Sequence, residues 1–131
     1  MATTIQLLIG ALSCVALILG ARRLGQKREM RIYAIGLVSA ALIYVGFAVF
    51  GGASISWLVL ELGGLVLFSF VAIVGLRINA WTLVLGWVVH AVWDVSLHKV
   101  AELEFVPKWY PIFCVGFDVL LAGYIAMRAR E

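Results

Sequence analysis

Apolar positions fall in five runs of similar length, broken by short polar stretches. The runs are TTIQLLIGALSCVALILG at about 3–20, IYAIGLVSAALIYVGFAVFG at about 32–51 and ISWLVLELGGLVLFSFVAIVGL at about 55–76; NAWTLVLGWVVHAVWDVSLH follows at about 79–98 and WYPIFCVGFDVLLAGYIAM at about 109–127. Each is close to the ~20 residues that carry a helix across ~30 Å of hydrocarbon at 1.5 Å per residue. The breaks are short: Gly52-Ala53-Ser54 joins the second and third runs, and Arg77-Ile78 joins the third and fourth. Short connections force antiparallel neighbours. The pattern therefore predicts an all-α fold, an integral membrane up-down bundle of five transmembrane helices forming one domain over 1–131. Pro111 sits in the first turn of the fifth helix, where proline is tolerated. Small residues mark expected helix contacts: Gly36, Ser39, Ala40 and Gly46 on the second helix, and Gly63, Gly64, Ala72 and Gly75 on the third.

Composition removes the soluble alternative. The chain is 65% hydrophobic and 13% charged, against about 45–50% and about 25% in soluble domains. Its net charge of +3 implies no nucleic-acid partner, because the basic residues flank apolar segments. There they orient the chain. Eight Lys and Arg, namely Arg22, Arg23, Lys27, Arg28, Arg31, Arg77, Arg128 and Arg130, share one side, against Lys99 and Lys108 on the other. This puts the N-terminus outside and the C-terminus in the cytoplasm. MATTIQ carries no basic side chain, so the first run reads as a retained helix rather than a cleaved signal. Trp57, Trp109, Tyr110, Tyr33 and Trp81 fall at the two interfaces, as an aromatic belt does. Cys14 and Cys114 lie inside apolar runs and form no metal-binding spacing.

The polar residues inside the runs change the picture most. Glu29, Glu102, Glu104 and Glu131 lie in loops or at the tail and read as solvated. Glu61, His90, Asp94 and Asp118 lie within spans, and His98 closes the fourth. A charge at mid-bilayer costs roughly 2.5–3.5 kcal/mol even on the mildest scale, so such groups face a bundle interior or a wet cavity. Counting from the outer ends, Asp94 lies about 6 Å below His98, His90 about 12 Å, Glu61 about 9 Å into the third helix and Asp118 about 13 Å below Trp109. All five fall in one half of the membrane, which predicts a single outward-opening pocket.

Spacing constrains its chemistry. In a regular helix His90, Asp94 and His98 share a face, each four-residue step advancing ~40°. His90 and His98 are then ~12 Å apart along the axis, too far for one metal at ~2.0–2.1 Å from each imidazole. A mononuclear site would use His90 with Asp94, or Asp94 with His98, completed by Glu61 or Asp118. A dinuclear site would use the whole set, although the Glu-x-x-His element common to such sites is missing. Without metal, an imidazole beside a carboxylate can hold or pass a proton near neutral pH. Trp87, Trp93 and Tyr44 are candidates for lining a substrate site, with Ser54, Ser56 and Tyr110 near its mouth. No span carries the lysine of a retinal Schiff base, no Gly-rich phosphate loop is present, and no serine has a G-x-S-x-G setting.

The pattern G-W-x-x-H-x-x-W-D-x-x-x-H, Gly86 to His98, resembles that of a small bacterial membrane family catalogued as domain of unknown function 6010. The resemblance extends back to Glu61 ahead of Gly75-Leu76-Arg77 and forward to Asp118. It covers about 28–125 and implies that Glu61, His90, Asp94, His98 and Asp118 belong to one site. Two departures stand out: Leu97 replaces a second histidine beside His98, and the loop after Arg77 is one residue longer. The first weakens any metal scheme that needs the extra ligand. The family is uncharacterised and carries no activity with it.

The expectation is a multi-pass protein of the bacterial inner (plasma) membrane. Its function is expected to be that of an enzyme acting on a lipophilic small molecule by acid–base chemistry, as an isomerase, cyclase or hydrolase, through His90, Asp94, Asp118 and Glu61. The alternatives are a metal-ion or proton binding or transport component, using His90, Asp94, His98, Glu61 and Asp118 around a divalent metal ion, and an accessory subunit of a larger membrane complex. The lipid bilayer is an expected partner, and a homo-oligomer is allowed.

Overall fold

The computed structural model describes residues 2–99 and 103–131; Glu102, expected to be solvated, lies outside them. Five helices make up the described chain. They are α1 (Ala2–Ala21), α2 (Gln26–Phe50), α3 (Ile55–Arg77), α4 (Ala80–Trp93) and α5 (Tyr110–Ala129). A 3₁₀ turn, Arg22–Leu24, follows α1, and a π-helical segment, Asp94–Lys99, continues α4. With these extensions all five are long and apolar enough to cross a membrane.

Local chemistry sets the breaks. Gly25 at φ 89° and Gly52 at φ 69° adopt backbone that side-chain-bearing residues avoid, and they separate α1 from α2 and α2 from α3. The Ser54 side chain accepts from the Trp57 amide to cap α3, and Asn79 accepts from the Trp81 amide to cap α4. Helix formation in hydrocarbon follows because no water competes for the backbone groups.

Close packing uses some of the small residues and not others. Gly64 lies beneath the Trp93 ring and Gly75 against Leu83, where added side-chain atoms would crowd the neighbour, and Gly36 faces Trp87 at ordinary contact distance. Gly10 meets the Phe113 carbonyl and Gly116 the Leu7 carbonyl, bringing α1 and α5 backbone to backbone. The α1–α5 contacts run in opposite directions along the two helices, as do Gly64–Trp93 and Gly75–Leu83 between α3 and α4. Gly46 and Gly63, expected at helix contacts, have nothing within 4 Å of where a side chain would begin. Large apolar side chains such as Leu12, Phe50, Ile55, Val66 and Phe70 point outward, the reverse of a soluble surface.

Two boundaries differ from the sequence expectation in ways that matter. First, α2 begins at Gln26 rather than near 32, so Glu29 lies within a helix. It is fully buried, not solvated. Its carboxylate accepts from Tyr33 (2.9 Å), Tyr124 (2.7 Å) and Arg128 (2.9 Å). The last turns of α5 supply two of these donors, which is why the burial is tolerable. Second, the chain turns π-helical at Asp94. In a π segment hydrogen bonds run i→i+5, so Asp94 and His98 are not one regular α-turn apart. The expected single stripe of His90, Asp94 and His98 is broken there.

Candidate functional site

The cluster is assembled from four helices and the π segment. Tyr44 comes from α2, Glu61 from α3, His90 from α4, Asp94 and His98 from the π segment, and Asp118 from α5. All six are buried, none more than 3% exposed.

Three linked contacts surround His90. Its Nδ1 lies 2.7 Å from Asp118 Oδ2 and 3.4 Å from Asp94 Oδ2. The Tyr44 hydroxyl donates to Asp94 Oδ1 at 2.5 Å. With both carboxylates on the Nδ1 side, that nitrogen is the one that carries hydrogen, and Nε2 is left to take or give a proton. Phe68 meets the ring edge-on at 4.9 Å. A second pair lies alongside: His98 Nε2 is 2.5 Å from Glu61 Oε1. The His98 ring stacks on Tyr44 at 3.7 Å with 7° between planes. Tyr44 therefore touches both pairs, one through its hydroxyl and the other through its face.

His98, expected at the outer rim, is buried because Glu61 and the Tyr44 ring enclose it. Tyr44 and Trp93 were expected to contact substrate. Tyr44 touches both histidine pairs, and Trp93 packs on Phe68 and Gly64. Trp87 is fully buried and lines a lateral cleft of about 170 Å³ between α2 and α5, a cleft that Asp118 also reaches. Tyr110 lines the same cleft and meets Tyr44 edge-on at 5.4 Å. Ser54 caps α3, and Ser56 is exposed.

The openings found beside the cluster are a small recess and a lateral cleft. The recess at His98, bordered by Lys99, Leu103, Pro107 and Lys108, holds about 50 Å³. That admits a few water molecules and no organic substrate. The lateral cleft is larger and mostly apolar, with Gly36, Ile43, Phe113 and Phe117 in its walls. The cluster thus stands between a small recess beside His98 and a mostly apolar lateral cleft beside Asp118.

Several buried polar atoms have no hydrogen-bond partner among the described residues: His90 Nε2, Asp94 Oδ2, His98 Nδ1 and Trp87 Nε1. Stranded donors and acceptors are costly in a packed interior, and three of these atoms belong to the cluster residues His90, Asp94 and His98. Charge balance points the same way. Three carboxylates face two imidazoles, with no Lys or Arg among them. Two imidazolium rings would still leave one negative charge, so neutrality needs a further proton or a metal cation.

A family model described as "Family of unknown function (DUF6010)" matches residues 5–131. The chain belongs to the DUF6010 family. The match takes in α1, which the resemblance at Gly86–His98 did not reach. No curated protein and no solved structure matches this DUF6010 chain, so its chemistry rests on its own residues. One site residue was not anticipated from the sequence. Phe68 packs on both His90 and Trp93, and a phenylalanine in an apolar run carries no signal that separates it from ordinary core.

Proposed function

We propose that this DUF6010 chain is a multi-pass protein of the bacterial inner membrane, an up-down bundle with its N-terminus outside, and an enzyme that acts on a lipophilic small molecule by acid–base chemistry. The observation that carries the proposal is His90. Its Nδ1 is hydrogen-bonded to Asp118, with Asp94 Oδ2 3.4 Å away, while its buried Nε2 has no partner among the described residues. This is the arrangement of an oriented general base. The substrate enters laterally through the cleft between α2 and α5 that Trp87 and Asp118 line. His90 Nε2 takes a proton from the substrate and returns one. Asp118 and Asp94 fix the ring and offset the positive charge it gains. Tyr44 holds Asp94 in place, and Glu61 with His98 completes the wall behind Tyr44. Isomerisation, cyclisation and hydrolysis all use this step.

One observation favours a second reading, a divalent metal site. His90, Asp94 and Asp118 each present a ligand atom, all within 4.8 Å of one another. The separations argue for proton sharing instead. Ligands at ~2.1 Å on one tetrahedral ion lie ~3.4 Å apart, as His90 Nδ1 and Asp94 Oδ2 do, whereas His90 Nδ1 and Asp118 Oδ2 are 2.7 Å apart, a normal charge-assisted hydrogen bond.

The test is incubation of the purified protein, in vesicles of extracted bacterial lipid, in deuterium oxide, followed by mass spectrometry of the lipophilic fraction. The expected result is deuterium in one species, a new isomer, or a product heavier by water. His90→Gln and Asp118→Asn should lose it. Identical profiles for wild type and His90→Gln would refute the proposal. Stoichiometric divalent metal in chelator-free protein, lost in both His90→Ala and Asp94→Ala, would replace it with the metal reading.

A further inference from the structure

The opposite end of the bundle carries a second feature, unconnected with the histidine cluster. Between α2 and the α3–α4 turn lies a cleft of about 620 Å³, well within the range of small-ligand pockets. Lys27, Arg31 and Arg77 line it, and no Asp or Glu does. Among the described residues none of the three is paired with a carboxylate within 4.0 Å. The geometry of α2 explains this. Lys27 and Arg31, four residues apart, share a face. Glu29, two residues from each, lies ~200° around the helix and is committed to Tyr33, Tyr124 and Arg128. The nearest acid in the sequence is thus turned to α5, and the cations are left facing the cleft.

A second observation concerns what lies next to that cleft. A groove of about 360 Å³ runs between α2 and α3, walled by Ile35, Val38, Leu42, Ala72 and Ile73 and open to the side. Its lining is almost wholly apolar. Leu76 borders both the groove and the cationic cleft, so the two adjoin. Along α2 the groove spans Ala34 to Leu42, about 12 Å of helix. Charge placed only to orient a membrane protein needs neither a cavity nor an adjoining apolar channel. A ligand with an anionic head and a hydrocarbon tail needs both.

We propose that the seam between α2 and α3 binds an anionic phospholipid, its phosphate held by Lys27, Arg31 and Arg77 and one acyl chain lying in the groove. Arginine suits phosphate because its planar fork can bond two oxygens at once. The site is separate from the His90 cluster, and the proposal stands or falls independently of any activity there.

Native mass spectrometry of the intact, detergent-purified protein tests this with three probes: phosphatidylglycerol, phosphatidylcholine and inorganic phosphate. Wild type should retain phosphatidylglycerol in preference to phosphatidylcholine. The triple variant Lys27→Gln/Arg31→Gln/Arg77→Gln should lose that preference, by about fivefold for each cation removed. The control Arg22→Gln/Arg23→Gln/Arg28→Gln, with the same change in net charge, should keep it. Ile73→Trp fills the groove and leaves the cations in place, so it should weaken phosphatidylglycerol binding and leave any inorganic phosphate binding unchanged. Equal retention of the two lipids, or equal loss in the control, would overturn the proposal. So would inorganic phosphate binding that depends on the three cations, combined with phosphatidylglycerol retention that Ile73→Trp leaves unchanged. Gel filtration and helical circular dichroism confirm that each variant is folded.

Discussion

Tyr44→Phe removes one oxygen and keeps the ring. In the folded protein that oxygen donates to Asp94 at 2.5 Å, with both side chains fully buried. The stack on His98 survives the change, so the effect isolates a single hydrogen bond. In soluble proteins a bond to a charged partner contributes about 1.5–3 kcal/mol. Bonds between transmembrane helices average nearer 0.6 kcal/mol, with a maximum of about 1.7, because helices separated in the membrane find other partners. Two features push Tyr44 toward the top of the membrane range. Asp94 Oδ2 already has no hydrogen-bond partner among the described residues, so the mutation strips the carboxylate of its one close donor. The bond also joins α2 to the π segment, which holds the two histidine pairs in register. The expected loss is about 1.5 kcal/mol. Reversible unfolding in mixed micelles, titrated with denaturing detergent, measures it. A double-mutant cycle with Asp94→Asn assigns it, because the coupling should account for most of the single-mutant loss. A Tyr44→Phe variant as stable as wild type, with no coupling to Asp94→Asn, would show that the hydroxyl does not serve Asp94 and would undo the argument that Tyr44 joins the two pairs.

Other consequences follow from the packing and from the buried acid of α2. Glu29→Ala should cost about 2 kcal/mol in the same unfolding assay, below the usual loss for a broken buried pair, because the Arg128 side chain keeps 24% exposure and can turn to water. Arg128→Gln should cost more, about 3 kcal/mol, because it leaves the fully buried Glu29 carboxylate without a cation even though Tyr33 and Tyr124 still donate to it. Gly10→Leu should strip α1 from α5, seen as faster proteolysis near the N-terminus and a loss of about 1–3 kcal/mol from overpacking, because its side chain would begin on the Phe113 carbonyl. Gly46→Ala and Gly63→Ala, with open space at the new methyl, should instead be neutral or stabilising by up to about 1 kcal/mol.

The five spans were legible in the sequence because the signal that produces them is local. Each apolar residue contributes its own transfer energy and each run is read by itself, so composition along a short window sufficed to find α1, α3 and α5 nearly residue by residue. The choice of Glu61, His90, Asp94, His98 and Asp118 was legible for the same reason: a titratable group inside an apolar run stands out without reference to any neighbour. Their partners were only partly legible: depth counting put His90 and Asp118 at one level, but not His98 with Glu61. That His90 pairs with Asp118 while His98 pairs with Glu61 depends on how α3, α4 and α5 are aligned along one another, and no property of a single helix encodes that alignment. The π segment at Asp94 was invisible to any argument that assumed a uniform helix. The same argument therefore placed His98 at the rim, although Tyr44 and Glu61 enclose it. Glu29 failed for a related reason. It stands in a polar stretch among cations, which alone suggests solvation, and only the return of α5 brings Tyr124 and Arg128 to its carboxylate. Hydrophobic partition is additive along the chain and can be summed from sequence. Hydrogen bonds between buried groups are pairwise and short-ranged, so they come into being only when separate helices have met.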